Sequence, residues 1–538
     1  MTRAVARSTN FFRAVVETCR RRRPSKAVDS TGQEVSGIEL LTRALVLRRL
    51  LRRGVLSPDE GQVALLLPPS VGAMVANLAL ALDRRVTVNL NYTLSAPMLN
   101  AGLAEAGIRH IITSRRFAER VPLDLDAEPI YLDDLAERPT RIDKVIAGLQ
   151  AAALPVGALL RLLGLDRVDE NEVMTIVFTS GATGNPKGVM LTYRNIVANL
   201  DAVDRVIRWR PTDVLLGALP FFHSFGSTIT LWGPLMRDLG VAYHANPLDA
   251  RGIGALCRAQ HATLLATTPM FLRAYLRRGE PADFASLDVV AVGAERLPSD
   301  LGDEVARAWG VRPIEGYGTT EMAPLVAANT PPSRSRNDAA ATRREGTVGR
   351  PVPGARAKVI DPATGAEVGP GERGLLLVTG PSLMKGYLNQ PAATAEVVRD
   401  GWYVTGDIAS IDADGFITLV DRQSRFAKIA GEMIPHAMVE DVLNAALGAG
   451  PGAAPNVAVT SIPDPIRGER LVVIHTERDK TTEELQQALV AAGLPNLYIP
   501  ARDAFVLVDA LPVVGAGKID LQAIRTIALE SAASARAS

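Results

Sequence analysis

Cysteine is scarce in this chain. Cys19 and Cys257 are the two in 538 residues, and they lie far apart. Such usage supplies neither a disulfide framework nor a thiolate metal site, and it makes a reducing cytosol the expected compartment. Histidine is scarce as well: six residues without paired metal spacing argue against zinc. An excess of one charge sign is missing too. The 59 basic and 58 acidic residues leave a formal net charge of +1, so there is no global electrostatic argument for a nucleic acid partner. No apolar run is long enough to span a bilayer. The apolar stretch 11–16 is short and broken by Arg13, unlike a secretory signal. The basic run 20–23 before Pro24 reads as a solvated turn, because one short cluster holds anionic lipid weakly.

What is present is a globular composition, 47% hydrophobic and 22% charged, over a length that calls for at least two domains. Leu40, Leu41, Ala44, Leu47 and Leu51 recur at helical spacing among arginines, so 37–53 reads as an amphipathic helix. Strands are expected at 63–67, 86–90 and 110–113, with a buried helix at 71–82. This alternation argues for an α/β domain with a mainly parallel sheet. Residues 148–165 are apolar but interrupted by Pro155 and Gly157, so core or a flap over substrate is expected there, with interfacial docking as the alternative. A helix is expected at 193–207, further buried strands at 264–268 and 289–292, and a mobile surface loop at 331–345. From 346 the texture changes to short strands punctuated by Gly and Pro, a β-rich subdomain. After Pro435, a helix to about Leu447, strands at 457–460, 471–475 and 505–508, and a helix at 482–492 make a compact α+β domain.

Several segments carry chemistry. The strand expected at 173–178 runs into Thr179, Ser180, Gly181, Ala182, Thr183, Gly184, Asn185, Pro186, Lys187 and Gly188. Backbone N–H groups in a glycine-rich loop converge on anions, the hydroxyls add donors and Lys187 adds a charge, so this is a polyphosphate cradle by chemistry. It lacks the Walker spacing, and taken alone it is equally a plain turn. In 219–226, three phenylalanines surround His223: an apolar pocket wall, or simply a core cluster. In 315–321, Tyr317 offers a face for a base, Gly316 and Gly318 admit close approach, and Glu321 is a hard oxygen ligand suited to Mg²⁺. Asp407 at a strand end suits ribose hydroxyls, although Thr-Gly-Asp is also a common turn. Residues 421–431 form a polar bridge. Lys518 follows a glycine-rich turn, where a surface lysine is the bland alternative.

Order and spacing make these segments more than the sum of weak signals. Together they resemble the adenylate-forming superfamily of acyl-CoA synthetases, peptide-synthetase adenylation domains and luciferases. TSGATGNPKG resembles its phosphate loop, LPFFHSFG its acyl-pocket segment and YGTTE its adenine and magnesium segment. TGD resembles its ribose motif, DRQSRFAKIAGE its hinge and PVVGAGK its catalytic-lysine loop. The hinge wording is closest to the acyl-acyl-carrier-protein synthetase half of bacterial 2-acylglycerophosphoethanolamine acyltransferase, whose acyltransferase half is not expected here.

The resemblance implies a large N-terminal domain (1–421) of layered α/β subdomains plus the β-rich subdomain, and a small mobile α+β C-terminal domain (422–538). It implies ATP and Mg²⁺ as cofactors, acyl-adenylate formation, and transfer to a thiol. In that scheme Thr179, Ser180, Gly181, Thr183, Gly184 and Lys187 hold the β- and γ-phosphates, and Thr320 touches the α-phosphate. Glu321 carries the metal, Glu315, Gly316 and Tyr317 bind adenine, and Asp407 and Arg422 bind ribose. His223 borders the acyl pocket and Lys518 spans carboxylate and α-phosphate. The C-terminal domain turns at Arg425, bringing Lys428 and Gly431 to the site. Three positions depart from the pattern. Ala182 removes a hydroxyl donor, Asp421 stands where glycine is usual, and Arg425 replaces Asp or Lys at the pivot, where an exposed side chain is expected. The leucines and aromatics favour a medium or long fatty acid as substrate. The hinge wording favours acyl carrier protein as acceptor, with CoA or release of the adenylate as alternatives. An inactive nucleotide- or lipid-binding protein is the alternative from another class, against which the pair Glu321 and Lys518 weighs. The expected location is cytoplasmic, with peripheral membrane contact as an option.

Overall fold

The computed structural model describes residues 11–21, 25–179, 186–336, 342–422, 425–429, 432–447, 456–464, 467–514 and 518–537. The chain forms two compact units, Met1–Ala357 with Val378–Tyr403, and Lys358–Leu377 with Val404–Ser538.

The first unit is built on two sheets. Apolar β-branched runs pair parallel at the centre of one: Gln62–Leu65 lies between Val86–Asn89 and His110–Thr113, and Val173–Thr179 joins beyond Val86–Asn89. At that edge the pairing turns antiparallel through Lys187–Thr192 and Gly386–Tyr387. Ala64, Val88, Ile111 and Ile176 of this sheet pack against Leu99 and Leu103 of the helix Ala96–Glu105. The helix Val71–Leu82 is apolar around most of its circumference and correspondingly buried, with the Ser70 hydroxyl accepting from Ala73 N at 3.1 Å as its N-cap. The second sheet has nine strands, including Val214–Gly217, Gly240–Tyr243, Leu264–Thr267, Val289–Val292 and Ile314–Gly318, all parallel, and it becomes antiparallel at Leu325–Ala328. Parallel strands buried on both faces explain why these segments read as short uninterrupted apolar runs.

Two expectations need correction. The 331–345 segment is not simply a mobile surface loop. Arg334 is 1% exposed and anchored: its guanidinium donates to Asp213 at 2.9 and 3.0 Å, to Asp288 at 2.8 Å and to the Arg208 carbonyl at 3.0 Å. Two carboxylates and a carbonyl satisfy the fork, which makes burial of the charge tolerable. Nor is 148–165 wholly core or flap. The chain forms the helices Arg141–Ala152 and Val156–Leu163, broken at Pro155 as its fixed φ requires. Ala151, Leu159 and Leu160 are buried, but Leu149 and Leu162 are exposed to solvent.

In the second unit, the strands Val457–Asp464 and Gly468–His475 pair antiparallel. Their alternation divides two cores. Val457, Val459, Leu471 and Val473 pack with Leu443, Leu485 and Leu489 on one face. Ala458, Ile462, Val472 and Ile474 pack with Ile524 and Ala528 of the helix Leu521–Ala537 on the other. This is the compact α+β arrangement expected after Pro435. No helix among the described residues is long and apolar enough to cross a membrane.

Candidate active site

The cradle sits on a hairpin. Val173–Thr179 and Lys187–Thr192 are antiparallel, and the register places Thr179 opposite Lys187 at the mouth. The Thr179 hydroxyl donates to the Lys187 carbonyl at 3.4 Å. Ser180, Gly181, Ala182, Thr183 and Gly184 lie outside the described residues. The Lys187 ammonium lies 5.1 Å from the centre of the Tyr387 ring, a cation–π distance.

Tyr387 leads to the second motif. Its hydroxyl donates to Glu321 Oε1 at 2.8 Å. Glu321 is nearly buried, on a 3₁₀ turn, Thr320–Met322, that follows the strand Ile314–Gly318. The turn can double back because Gly318 lacks a side chain: a Cβ there would stand 2.3 Å from the Pro324 carbonyl oxygen. That oxygen accepts from Thr319 N at 3.0 Å. The far side is fixed by the helix Tyr193–Val206, where the Asn199 amide donates to the carbonyls of Met322 at 3.1 Å and Leu325 at 2.9 Å. Met384 N donates to the Glu321 carbonyl at 2.8 Å. Burial first, and the Glu321 carboxylate second, push the Tyr387 and Tyr403 hydroxyls well above the usual tyrosine range. Both therefore remain neutral donors.

Thr320 Oγ1 lies 3.2 Å from Ser224 Oγ, which joins the YGTTE turn to the LPFFHSFG segment. Gly226 closes that segment tightly, since a Cβ would meet the Pro220 carbonyl oxygen at 2.1 Å, and the π-helix Gly226–Trp232 follows. The expected pocket aromatics divide. Phe221 packs edge-on to Tyr243 of the strand Gly240–Tyr243 and Phe222 edge-on to Tyr92, and both are buried. Phe225 is partly exposed, and His223 is exposed with its ring 4.6 Å from that of Phe222. The reading of His223 as a core histidine is therefore set aside. Tyr317 is buried and Gly316 half-buried. The Glu315 carboxylate accepts from Leu297 N at 3.0 Å, and burial raises it above the usual carboxylate range.

In the second unit, Asp407 pairs across the strands with Arg422, on Trp402–Ile411 and Ile417–Arg422. Asp407 N donates to the Thr405 hydroxyl at 3.0 Å, which itself donates to the Leu376 carbonyl at 2.8 Å. Lys518 opens the strand Lys518–Ile519, opposite Val514 in a two-stranded antiparallel pair. Arg422, Lys428 and Lys518 are described by their backbone, and Gly431 lies outside the described residues. Arg425 was expected to be exposed. Instead its side chain is 22% exposed and ion-paired with Glu440, whose other oxygen accepts from Val459 N at 2.7 Å. A fixed carboxylate partner explains the difference.

Residues 15–388 match the family model described as AMP-binding enzyme. The chain belongs to the AMP-binding enzyme family. A feruloyl-CoA synthase from Amycolatopsis sp is 30% identical over 508 residues, covering 92% of this chain and 94% of that protein. The long-chain-fatty-acid–CoA ligase of Salmonella typhimurium is 27% identical over 518 residues, covering 91% and 89%. Among solved structures, ATP-bound MatB from Rhodopseudomonas palustris superposes with a TM-score of 0.76 at 24% identity, covering 96% of this chain and 98% of that one. The Bacillus subtilis o-succinylbenzoate CoA synthetase with its acyl-adenylate intermediate gives 0.77 at 22%, covering 95% and 96%. These likenesses carry the fold: a large N-terminal α/β part and a smaller C-terminal part.

Adenylate-forming enzymes use ATP and Mg²⁺, and the residues present fit both. No cluster of three metal-ligating side chains occurs among the described residues. One nearly buried carboxylate, Glu321, linked through Tyr387 to Lys187, suits Mg²⁺, which retains water and is bound through one or two carboxylates and substrate phosphates. Ser224, Tyr387 and Tyr403 were not singled out in the sequence. Tyr387 is 66 residues from Glu321, so no local pattern could join them.

Proposed function

We propose that this chain activates a medium- or long-chain fatty acid as its acyl-adenylate and passes the acyl group to a thiol. The observation that carries the reading is the linked set Lys187, Tyr387 and Glu321, which sets a cation over the ring and a carboxylate on the hydroxyl of one tyrosine. In the first step a substrate carboxylate oxygen attacks the α-phosphorus of ATP and pyrophosphate leaves. Charge develops around phosphorus, so positioned donors and cations supply most of the acceleration. Thr179 and Lys187, with Ser180, Gly181, Thr183 and Gly184, hold the β- and γ-phosphates. Thr320 contacts the α-phosphate, and Ser224 orients its hydroxyl. Gly316 and Tyr317 frame the adenine, with Glu315 bracing the adjoining loop through Leu297. Asp407 and Arg422 take the ribose, and Lys518 bridges the reacting oxygens. Glu321 would hold Mg²⁺, which would supply neutralising charge to the phosphates. Tyr387 and Tyr403, kept protonated, orient the Glu321 carboxylate. His223 lies at the acyl side. In the second step a thiolate attacks the acyl carbon and AMP leaves, after the domain 422–538 turns at Arg425 and brings Lys428 and Gly431 to the site.

CoA is the acceptor favoured by the two relatives, both CoA-ester-forming by name and each matching about nine-tenths of this chain. Acyl carrier protein is the second reading, favoured by the hinge wording RFAKIAGEMIP. The deciding experiment offers purified protein, Mg-ATP and a panel of fatty and aromatic acids to equal CoA and phosphopantetheinylated carrier protein, with mass spectrometry of both. Acyl-CoA from fatty acids is expected. Carrier-protein thioester alone would move the acceptor to the second reading. Thioester from aromatic acids alone would overturn the fatty substrate.

A further inference from the structure

Twelve large hydrophobic side chains are exposed among the described residues, and four of them fall between 142 and 162. Ile142, Val145 and Leu149 on the helix Arg141–Ala152 are 69%, 60% and 60% exposed, and Leu162 on Val156–Leu163 is 61% exposed. At 3.6 residues per turn, the first three fall within an arc of about 60° on one helix face. The opposite face, with Asp143, Ala147 and Ala151, is buried. The helix is thus anchored on one side and presents an apolar stripe on the other. A run of three such residues at positions i, i+3 and i+7 is not the scatter ordinary on a surface.

The charge around the stripe is predominantly basic. Residues 137–163 carry four basic side chains, Arg138, Arg141, Lys144 and Arg161, against two acids, Glu137 and Asp143. All four are exposed, whereas Asp143 is 1% exposed and already bonded by two guanidiniums of the neighbouring helix, Arg49 at 3.2 Å and Arg53 at 2.7 Å. Asp143 is therefore more than neutralised, and with Glu137 the one exposed acid against four exposed bases, the surface beside the stripe is net basic. Long basic side chains flanking an apolar helix face can reach headgroups while the apolar residues enter the acyl boundary.

We propose that the helix pair Arg141–Ala152 and Val156–Leu163 docks on an anionic lipid surface, with Ile142, Val145, Leu149 and Leu162 entering it and Arg138, Arg141, Lys144 and Arg161 on the headgroups. The face stands on exposure and charge alone. Its use, the capture of an acid dissolved in lipid, rests on the ligase reading above.

Flotation of the full chain with vesicles tests the docking. Wild type is expected to float with mixed phosphatidylcholine–phosphatidylglycerol vesicles, to float less with phosphatidylcholine alone, and to lose binding as salt rises. The double variant Val145→Asp/Leu149→Asp is expected to lower binding by roughly tenfold or more, with an unchanged melting curve and unchanged pyrophosphate release from a short water-soluble acid. Arg141→Glu/Lys144→Glu should lower binding to the anionic vesicles and abolish their advantage over the neutral ones. Wild-type flotation by the Val145→Asp/Leu149→Asp variant, or no flotation of wild type, would overturn the proposal. So would a wild-type dimer that this variant splits in the absence of lipid binding, since the face would then belong to a second copy. Pyrophosphate release reports on the ligase reading separately: its absence in a wild type that floats would sink the use of the face and leave the docking standing.

Discussion

Lys518 and Tyr387 act at opposite ends of the proposed chemistry, and each gives a single-residue test. Lys518→Ala removes the cation assigned to the reacting oxygens. Adenylation is expected to fall by about a hundredfold or more, roughly 3 kcal/mol of barrier, with ATP affinity little changed. Wild-type adenylation in that variant would remove the lysine from the mechanism. Tyr387→Phe keeps the ring beneath Lys187 and deletes the donor to Glu321. A lost hydrogen bond to a charged group is worth about 1.5–3 kcal/mol, so adenylation at limiting Mg²⁺ should drop about tenfold or more, with partial recovery at high Mg²⁺. A magnesium dependence identical to wild type would show that the tyrosine does not orient the carboxylate. The two cysteines make a contrasting case. Both are buried, and burial raises each thiol to about 11, which makes them inert packing residues.

At the scale of elements, the helix His436–Ala446 carries a pH dependence. His436 is buried, and desolvation, with Arg425 and Arg525 nearby, lowers its pKa to about 3, so it is neutral in the folded unit. His475, on the strand Gly468–His475, is shifted the same way by burial. Below about pH 6.5 the unfolded chain binds protons at both positions, whereas the folded chain leaves His436 neutral and protonates His475 less readily. Stability is thus present at neutral pH and falls on acidification, by up to about 1.4 kcal/mol per pH unit for His436, with His475 acting in the same direction. Urea midpoints between about pH 7 and pH 5 should decline for wild type and decline less for His436→Gln. Equal slopes would contradict the buried neutral assignment. Elements of this kind were largely readable in advance. The helix at 71–82 and the strands at 110–113 and 289–292 coincide with their expected bounds, because unbroken apolar runs between turn residues leave little alternative. What escaped were features set by distant partners. The buried Arg334 depends on Asp213 and Asp288, which lie 121 and 46 residues away. The Glu321 cluster depends on Tyr387, and the pairing of Arg425 on Glu440. Periodicity contains no record of such pairings, and polar residues in loops read as solvated until the fold brings their partners to them.

At the scale of the whole molecule, ordered motifs carried the family and the cofactors, because the order of a phosphate loop, a metal turn, a ribose motif and a lysine loop is far more specific than any one of them. The substrate was less legible, since the aromatics expected to line an acyl pocket divide, with Phe221 and Phe222 proving to be core. The domain rotation at Arg425 is also a whole-molecule claim. Arg425→Ala removes the ion pair with Glu440 and should change the ratio of thioester formation to adenylation, with a smaller effect on adenylation itself. An unchanged ratio would remove Arg425 from the rotation. The most direct test of the account is acid-dependent exchange of labelled pyrophosphate into ATP by the purified chain, with fatty acids of graded length. The account predicts exchange that requires both acid and Mg²⁺, rises with chain length into the medium or long range, and collapses in Lys518→Ala. ATP binding without exchange for any acid would contradict it and leave a nucleotide-binding protein in its place.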